Sequence, residues 1–139
     1  MNILIIDARY HPAVADALVD GATGALEKGG ARFERVSLPG VLEIPVAIAI
    51  AARGEKKFDG YVALGCVLAD SRIADTLYKE TVRGLMQLGT QGLAIGNGIV
   101  LAADERAALD QSGTLDVGGD AARASLTLVT FAQRAGYLP

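Results

Sequence analysis

Hydrophobic positions along the chain switch repeatedly between two periods, and the switching predicts alternating strands and helices. "NILIID" is a short unbroken apolar run, the pattern of a strand buried on both faces. From Pro12 to Lys28 the positions Val14, Ala17, Leu18, Gly21, Ala22 and Ala25 recur at helical spacing, and "KGG" ends the helix. "ARFERVSL" carries Phe33, Val36 and Leu38 and reads as a second strand. In "PGVLEIPVAIAIAAR" a helix starts near Glu43 to Pro45, because proline suits a first turn. "FDGYVALGCV" is a third strand, followed by a long helix over Ser71–Leu88. "GLAIGNGIVL" is a fourth strand, and "DERAALDQ" is a short helix with Asp104 as its cap. "GGDAARASLTLVTFAQRAG" is a last helix ending at Gly136.

Strands separated by helices imply an α/β fold with a parallel sheet and helices on both faces. Right-handed crossovers make it a flavodoxin-like three-layer αβα sandwich with a four-stranded parallel sheet. No repeat, linker or low-complexity tract interrupts the 139 residues, so one domain over 1–139 is expected. Ligands of such sheets bind beyond the carboxyl ends of the strands. Four segments should therefore converge: Asp7–His11, Leu38–Glu43, Cys66–Arg72 and Asn97–Ala102.

Composition narrows this picture. With no tryptophan and 5% aromatic residues, the core must be built from Ala, Val, Leu and Ile, and further apolar surface is expected to be buried by oligomerisation. A net charge of -3 without a basic cluster argues against nucleic acid, whose phosphates demand a Lys/Arg stripe. The longest apolar stretch, Val46 to Ala52, is too short for a bilayer. "MNILIID" enters as a strand with no basic n-region, so a cytoplasmic protein without a membrane partner is expected. One cysteine, Cys66, excludes an internal disulfide and a cysteine-based metal cluster, and no metal site is expected.

Several residues of the converging segments carry two readings each. Tyr10 offers a flat face to a planar ligand, or packs on its own loop. His11 is a proton carrier, or a solvated residue before Pro12. Glu43 accepts ligand hydrogen bonds, or is an acid favoured in a first helical turn by the helix dipole. Arg72 is a cation for an anionic substrate, or an exposed partner of Asp70 or Asp75. Cys66 has no adjacent His or Lys to lower its pKa and reads as a buried small side chain rather than a nucleophile.

Together "LPGVLEIPVAIAIAA", "KFDGYVALGCVL", "VRGLMQL", "GLAIGNGIV" and the spacing into "ALDQSGT" resemble the lumazine synthase family over essentially the whole chain. The first of these matches the family's P-G-A-F-E-I-P stretch. The resemblance implies condensation of a ribitylaminopyrimidinedione with dihydroxybutanone phosphate, a step of riboflavin biosynthesis, with no cofactor. An amine attacks a carbonyl, phosphate is eliminated and the ring closes. By position, Tyr10 would stack on the pyrimidine, while Gly40, Val41, Leu42 and Glu43 would border the ribityl chain and heterocycle. Cys66, Val67 and Leu68 would supply strand-end backbone contacts. Ile95 and Asn97 would form a wall contributed by a neighbouring subunit, since the family's sites lie between subunits of a pentamer. A homopentamer or a multiple of one is implied.

The chain departs from the family where phosphate is held. The family usually reads G-x-V-I-x-G-x-T-x-H-x-D/E after the third strand, with backbone N–H groups and a hydroxyl for the phosphate and a histidine for proton transfer. Here the stretch is "GCVLADSRIADT", with Ser71 and Arg72 near the anion position and no histidine. Where the family places an Arg and two Lys, this chain has Gln111, Leu115 and Gly119, and Asp116 and Asp120 add negative charge. Asp70, Asp116 and Asp120 beside a phosphate would repel it. Three readings stay open: a synthase with weakened catalysis, with His11 and Arg72 as substitute catalytic groups; a pocket for a pyrimidine, lumazine or flavin-like ligand without the reaction; and an assembly subunit.

Overall fold

The computed structural model describes residues 1–139. Its elements run β1 (Asn2–Ala8), α1 (Pro12–Lys28), β2 (Arg32–Leu38), α2 (Glu43–Arg53), β3 (Gly60–Leu68), α3 (Arg72–Gly89), β4 (Ile95–Ala102), α4 (Glu105–Ser112) and α5 (Val117–Arg134). The strands form one parallel sheet in the order β2-β1-β3-β4. This is the α/β three-layer architecture that the alternating periods predict.

Burial along each strand follows its place in the sheet. β1 and β3 are central, and Ile3–Ala8 and Gly60–Val67 are buried without a break. Both faces of these strands meet helices, so both parities must be apolar. β2 is an edge strand and mostly exposed. Its Phe33 packs on the α1 side and its Leu38 on the opposite side, while Val36 is exposed. The apparent alternation of Phe33, Val36 and Leu38 thus does not describe one buried face.

Helix boundaries show where local chemistry acts. Pro12 opens α1, and Glu43 opens α2 with Pro45 in its first turn. Ser71 precedes α3 as its N-cap residue, so the helix begins one position later than periodicity suggests. Asp104 caps α4 by accepting a hydrogen bond from the Ala107 N–H at 2.8 Å. Asp116 caps α5 from a left-handed backbone (φ 52°), accepting from the Gly119 N–H at 3.1 Å. α5 stops at Arg134, and Gly136 takes positive φ just beyond the cap.

α1, α4 and α5 cover one face of the sheet with a core that includes Ile3, Ile5, Leu18, Leu26, Val62 and Val129. α2 and α3 cover the other around Leu4, Ile6, Ile44, Ile48, Tyr61 and Leu85. The first face is tightly approached because two positions lack side chains. A Cβ on Gly96 would collide with the Ala121 carbonyl of α5, and one on Gly118 with the Leu18 carbonyl of α1. Small residues therefore bring α5 down onto β4 and against α1. Every buried side-chain nitrogen and oxygen has a hydrogen-bond partner. No helix is long and apolar enough to cross a membrane.

Candidate functional site

Three strand ends and one helix face enclose a cavity of about 260 Å³ at the carboxyl edge of the sheet. Tyr10 and His11 form the wall between β1 and α1, and Gly40, Val41, Leu42 and Glu43 form the wall between β2 and α2. The end of β3 supplies Cys66, Val67 and Leu68, and the turn into α3 supplies Asp70 and Ser71. Ile73, Ala74 and Leu77 close the side toward α3. This is the crevice that a parallel sheet with helices on both faces leaves open.

Each wall has a local cause. Val41 is buried and accepts the Ile44 N–H at 3.1 Å, so the chain turns into α2 directly above the strand end. Gly40 leaves room for Glu43: a Cβ there would stand 3.3 Å from Glu43 Oε1. The Glu43 carboxylate is thus folded back over the Pro39-Gly40 turn. Tyr10 is 77% exposed and meets the His11 ring edge-on, with centroids 5.0 Å apart. A wide aromatic surface is left facing outward, as a stacking platform requires.

Cys66 borders the cavity, but its side chain packs in the core beneath α1 and α5. Burial, followed by the nearby charge of Glu105, pushes its thiol up to about 11. Burial and a raised pKa both disfavour a thiolate nucleophile and leave the backbone as its offering to the pocket.

The lining holds the carboxyl groups of Glu43 and Asp70 and the imidazole of His11, and no lysine or arginine. Arg72 stands exposed just outside and makes no ion pair, while Asp75 is paired with Lys79 at 2.9 Å. The expected pairing of Arg72 with Asp70 or Asp75 is therefore not formed. Asp116 and Asp120 do not line the cavity either. Arg123 Nη2 lies 3.2 Å from Asp116 and 2.7 Å from Asp120, so their charge is locally offset on α5. Gln111 donates to the Leu101 carbonyl at 3.3 Å, tying α4 to the end of β4.

Of the four segments expected to converge, the one from β4 stands apart. Ile95 and Asn97 line a separate hollow of about 300 Å³ with Val82, Met86 and Leu128. Asn97 Oδ1 accepts the Ile99 N–H at 3.0 Å, which turns its amide along its own strand. β4 is an edge strand two places from β1, and Asn97 is only its third residue, paired with Ala63 three positions before Cys66, so it lies away from the strand-end pocket.

Asp70 lies within the Cys66–Arg72 segment expected at the pocket, whereas Ile73, Ala74 and Leu77 are lining residues that sequence reasoning did not include. The last three recur at i, i+1 and i+4, so their common helix face was readable. That this face turns toward the strand end, rather than solvent, depends on the packing of α3 against α2 and the sheet.

Beneath these walls lies a buried acid that no motif marks. Asp7, at the end of β1, is fully buried. Its carboxylate accepts hydrogen bonds from Arg35 Nε at 2.9 Å, Arg35 Nη2 at 3.0 Å, Ser37 Oγ at 3.0 Å and Arg9 Nη1 at 3.3 Å. Arg9 also reaches Asp16 of α1 at 2.6 Å.

Comparison with known proteins places this architecture. The family described as 6,7-dimethyl-8-ribityllumazine synthase matches residues 1–133. The chain is 41% identical over 144 residues to 6,7-dimethyl-8-ribityllumazine synthase 1 of Rhizobium meliloti (strain 1021), covering 98% of this chain and 94% of that protein. It is 40% identical over 138 residues to the 6,7-dimethyl-8-ribityllumazine synthase of Sphingopyxis alaskensis, covering 97% of each. With that of Methylocella silvestris it shares 43% identity over 148 residues, covering 99% of this chain and 88% of the relative.

Proposed function

The chain belongs to the 6,7-dimethyl-8-ribityllumazine synthase family, and from that premise we propose that its strand-end pocket performs the family's condensation with weakened catalysis. The observation that carries the reading is the single cavity bordered by Tyr10, Val41, Glu43 and the end of β3. A planar pyrimidine stacks on Tyr10, its ribityl hydroxyls donate to Glu43, and the strand-end backbone at Cys66, Val67 and Leu68 addresses its polar edge. His11, in the same wall as Tyr10, is the candidate proton carrier of the lining. Holding two reactants in register supplies much of the rate for an amine adding to a carbonyl. A missing general acid or base costs about 10²–10⁴-fold.

The weakened half of the site is the one that would meet phosphate. Two carboxylates and no cation face the cavity, and Arg72 is the nearest unpaired guanidinium in sequence. Ser71, capping α3 without a side-chain hydrogen bond, leaves its hydroxyl free for a substrate oxygen. That same acidic lining favours a second reading, in which the pocket binds a pyrimidine, lumazine or flavin-like ligand without turnover. The third reading, an assembly subunit alone, is what remains if neither is observed.

Assembly enters the proposal through the surface. Leu42, Val46 and Ile50 form an exposed stripe on α2, and Met86, Leu128 and Phe131 are exposed around the β4 edge. Two unlike apolar faces suit a head-to-tail contact that closes a ring, and a homopentamer or a multiple of one is the proposed state. Ile95 and Asn97 then belong to the wall offered to a neighbour's pocket. A cavity of about 260 Å³, below the usual range of about 300–1,000 Å³ for ligand sites, is consistent with a site that a second copy completes.

The test incubates purified protein with both substrates and follows lumazine absorbance, with Glu43→Ala and Arg72→Ala in parallel. The expected result is a slow rate above buffer, reduced in both variants. A wild-type rate equal to buffer overturns catalysis, and riboflavin titration without binding overturns the second reading as well.

A further inference from the structure

Asp7 does not line the pocket, yet its carboxylate is the junction of two pocket walls. Oδ1 accepts from Arg35 Nε and Ser37 Oγ, and Oδ2 from Arg35 Nη2 and Arg9 Nη1. These donors fill the acceptor sites of an ionised carboxylate that is 0% exposed. Arg9 runs directly into Tyr10 and His11, and Ser37 runs through Leu38 and Pro39 into Gly40. The Arg9 backbone N–H also donates to the Leu38 carbonyl at 2.9 Å.

Tyr10 is exposed, so its own packing does not hold it in place. What fixes the loop is Arg9, held between buried Asp7 and Asp16 of α1. Hydrogen bonds between ionised groups are about twice as strong as neutral ones. A buried polar network with every member satisfied also rigidifies the segments it joins. We infer that Asp7 is a positioning residue that acts through Arg9 and Ser37 to set the separation between the Tyr10–His11 wall and the Gly40–Glu43 wall. The inference rests on the reading of this pocket as the pyrimidine site. Its leverage is geometric, because a misplacement of about 1 Å costs about a hundredfold when reactants must be aligned.

Arg9→Met is the informative variant. It leaves Asp7 with Arg35 and Ser37, and leaves the β1–β2 ladder intact. Ser37→Ala is its counterpart on the other wall. Two readouts are combined: residue-resolved amide hydrogen exchange, and titration of 6,7-dimethyl-8-ribityllumazine followed by its fluorescence. In Arg9→Met the Arg9 and Ala15 amides, bonded to Leu38 and His11, should exchange faster while β3 amides stay protected. In Ser37→Ala the change should fall on Ile44, bonded to Val41. Lumazine affinity should drop about tenfold in each, and Arg9→Lys should recover part of the loss. Unchanged exchange at these amides overturns the inference, as do loosened walls with unaltered lumazine affinity. If wild-type protein itself fails to bind the lumazine, the ligand reading falls, and the exchange pattern alone decides the positioning role.

Discussion

Burial alone would raise the Asp7 carboxyl above its usual 3.8, but hydrogen bonds from Arg35 and Ser37, the Arg35 charge and the Arg9 hydrogen bond hold it below that value. A carboxyl depressed by folding contributes stability that is fully present above its unfolded pKa and is lost as pH falls through the folded one. Thermal denaturation followed across about pH 2–6 should show stability falling on the acid side of about 4, and Asp7→Asn should flatten that limb. At neutral pH the same variant should cost about 1.5–3 kcal/mol, the range for hydrogen bonds to a charged group; an unchanged melting temperature would contradict the network. Tyr10 tests the other kind of residue, one proposed to meet a ligand. Tyr10→Ala should weaken lumazine binding by about 1–3 kcal/mol through lost stacking, with Tyr10→Phe close to wild type. Equal affinities in calorimetry would remove Tyr10 from the site. These two residues differ in legibility. Tyr10 stood out in the sequence as an aromatic just past a strand. Asp7 did not, because nothing local says that Arg35, a strand away, will face it.

At the scale of elements, periodicity located every strand and helix, since burial on one or both faces of a regular element leaves a repeating trace. It misplaced ends by one to three residues, at the helices because caps rather than packing decide. The turn from α4 to α5 shows how much one cap can carry. Asp116 adopts φ 52°, binds the Gly119 N–H and receives Arg123. Asp116→Ala loses the cap and keeps a backbone that alanine resists, so it should destabilise by about 1–2 kcal/mol. Asp116→Gly loses the cap but relaxes the backbone and should cost only about a few tenths of that scale. Urea midpoints that rank the two in reverse would contradict this account. Gly96→Ala is the packing counterpart: its methyl meets the Ala121 carbonyl, so overpacking of about 1–3 kcal/mol is expected. "GLAIGNGIVL" showed the glycines, but their purpose needs the helix that crosses them.

For the whole molecule, the exposed stripes on α2 and around β4 lead to a prediction about assembly. Ile50 is 68% exposed and Phe131 59%, and each sits with other exposed apolar side chains, the kind of patch that marks an interaction surface. Ile50→Asp and Phe131→Asp should each shift light-scattering mass toward the single chain while leaving the circular dichroism of the fold intact. A wild-type protein that is already a single chain would defeat the ring proposal. By itself the sequence determined the order of strands and helices, the parallel sheet, the family, and the strand ends beside which Tyr10 and Glu43 stand. All of these follow from patterns within a few turns of one element or from contiguous motifs. Only the tertiary structure decided which charges face the cavity. It placed Asp70 inside, Arg72 just outside, and Asp116 and Asp120 beside Arg123. It also revealed the four hydrogen bonds on Asp7, and it set Asn97, three residues into β4, apart from the pocket. The physical reason is that an electrostatic partner or a shared cavity depends on distance in space between residues far apart in sequence, and the hydrophobic pattern encodes only which side of its own element each residue faces.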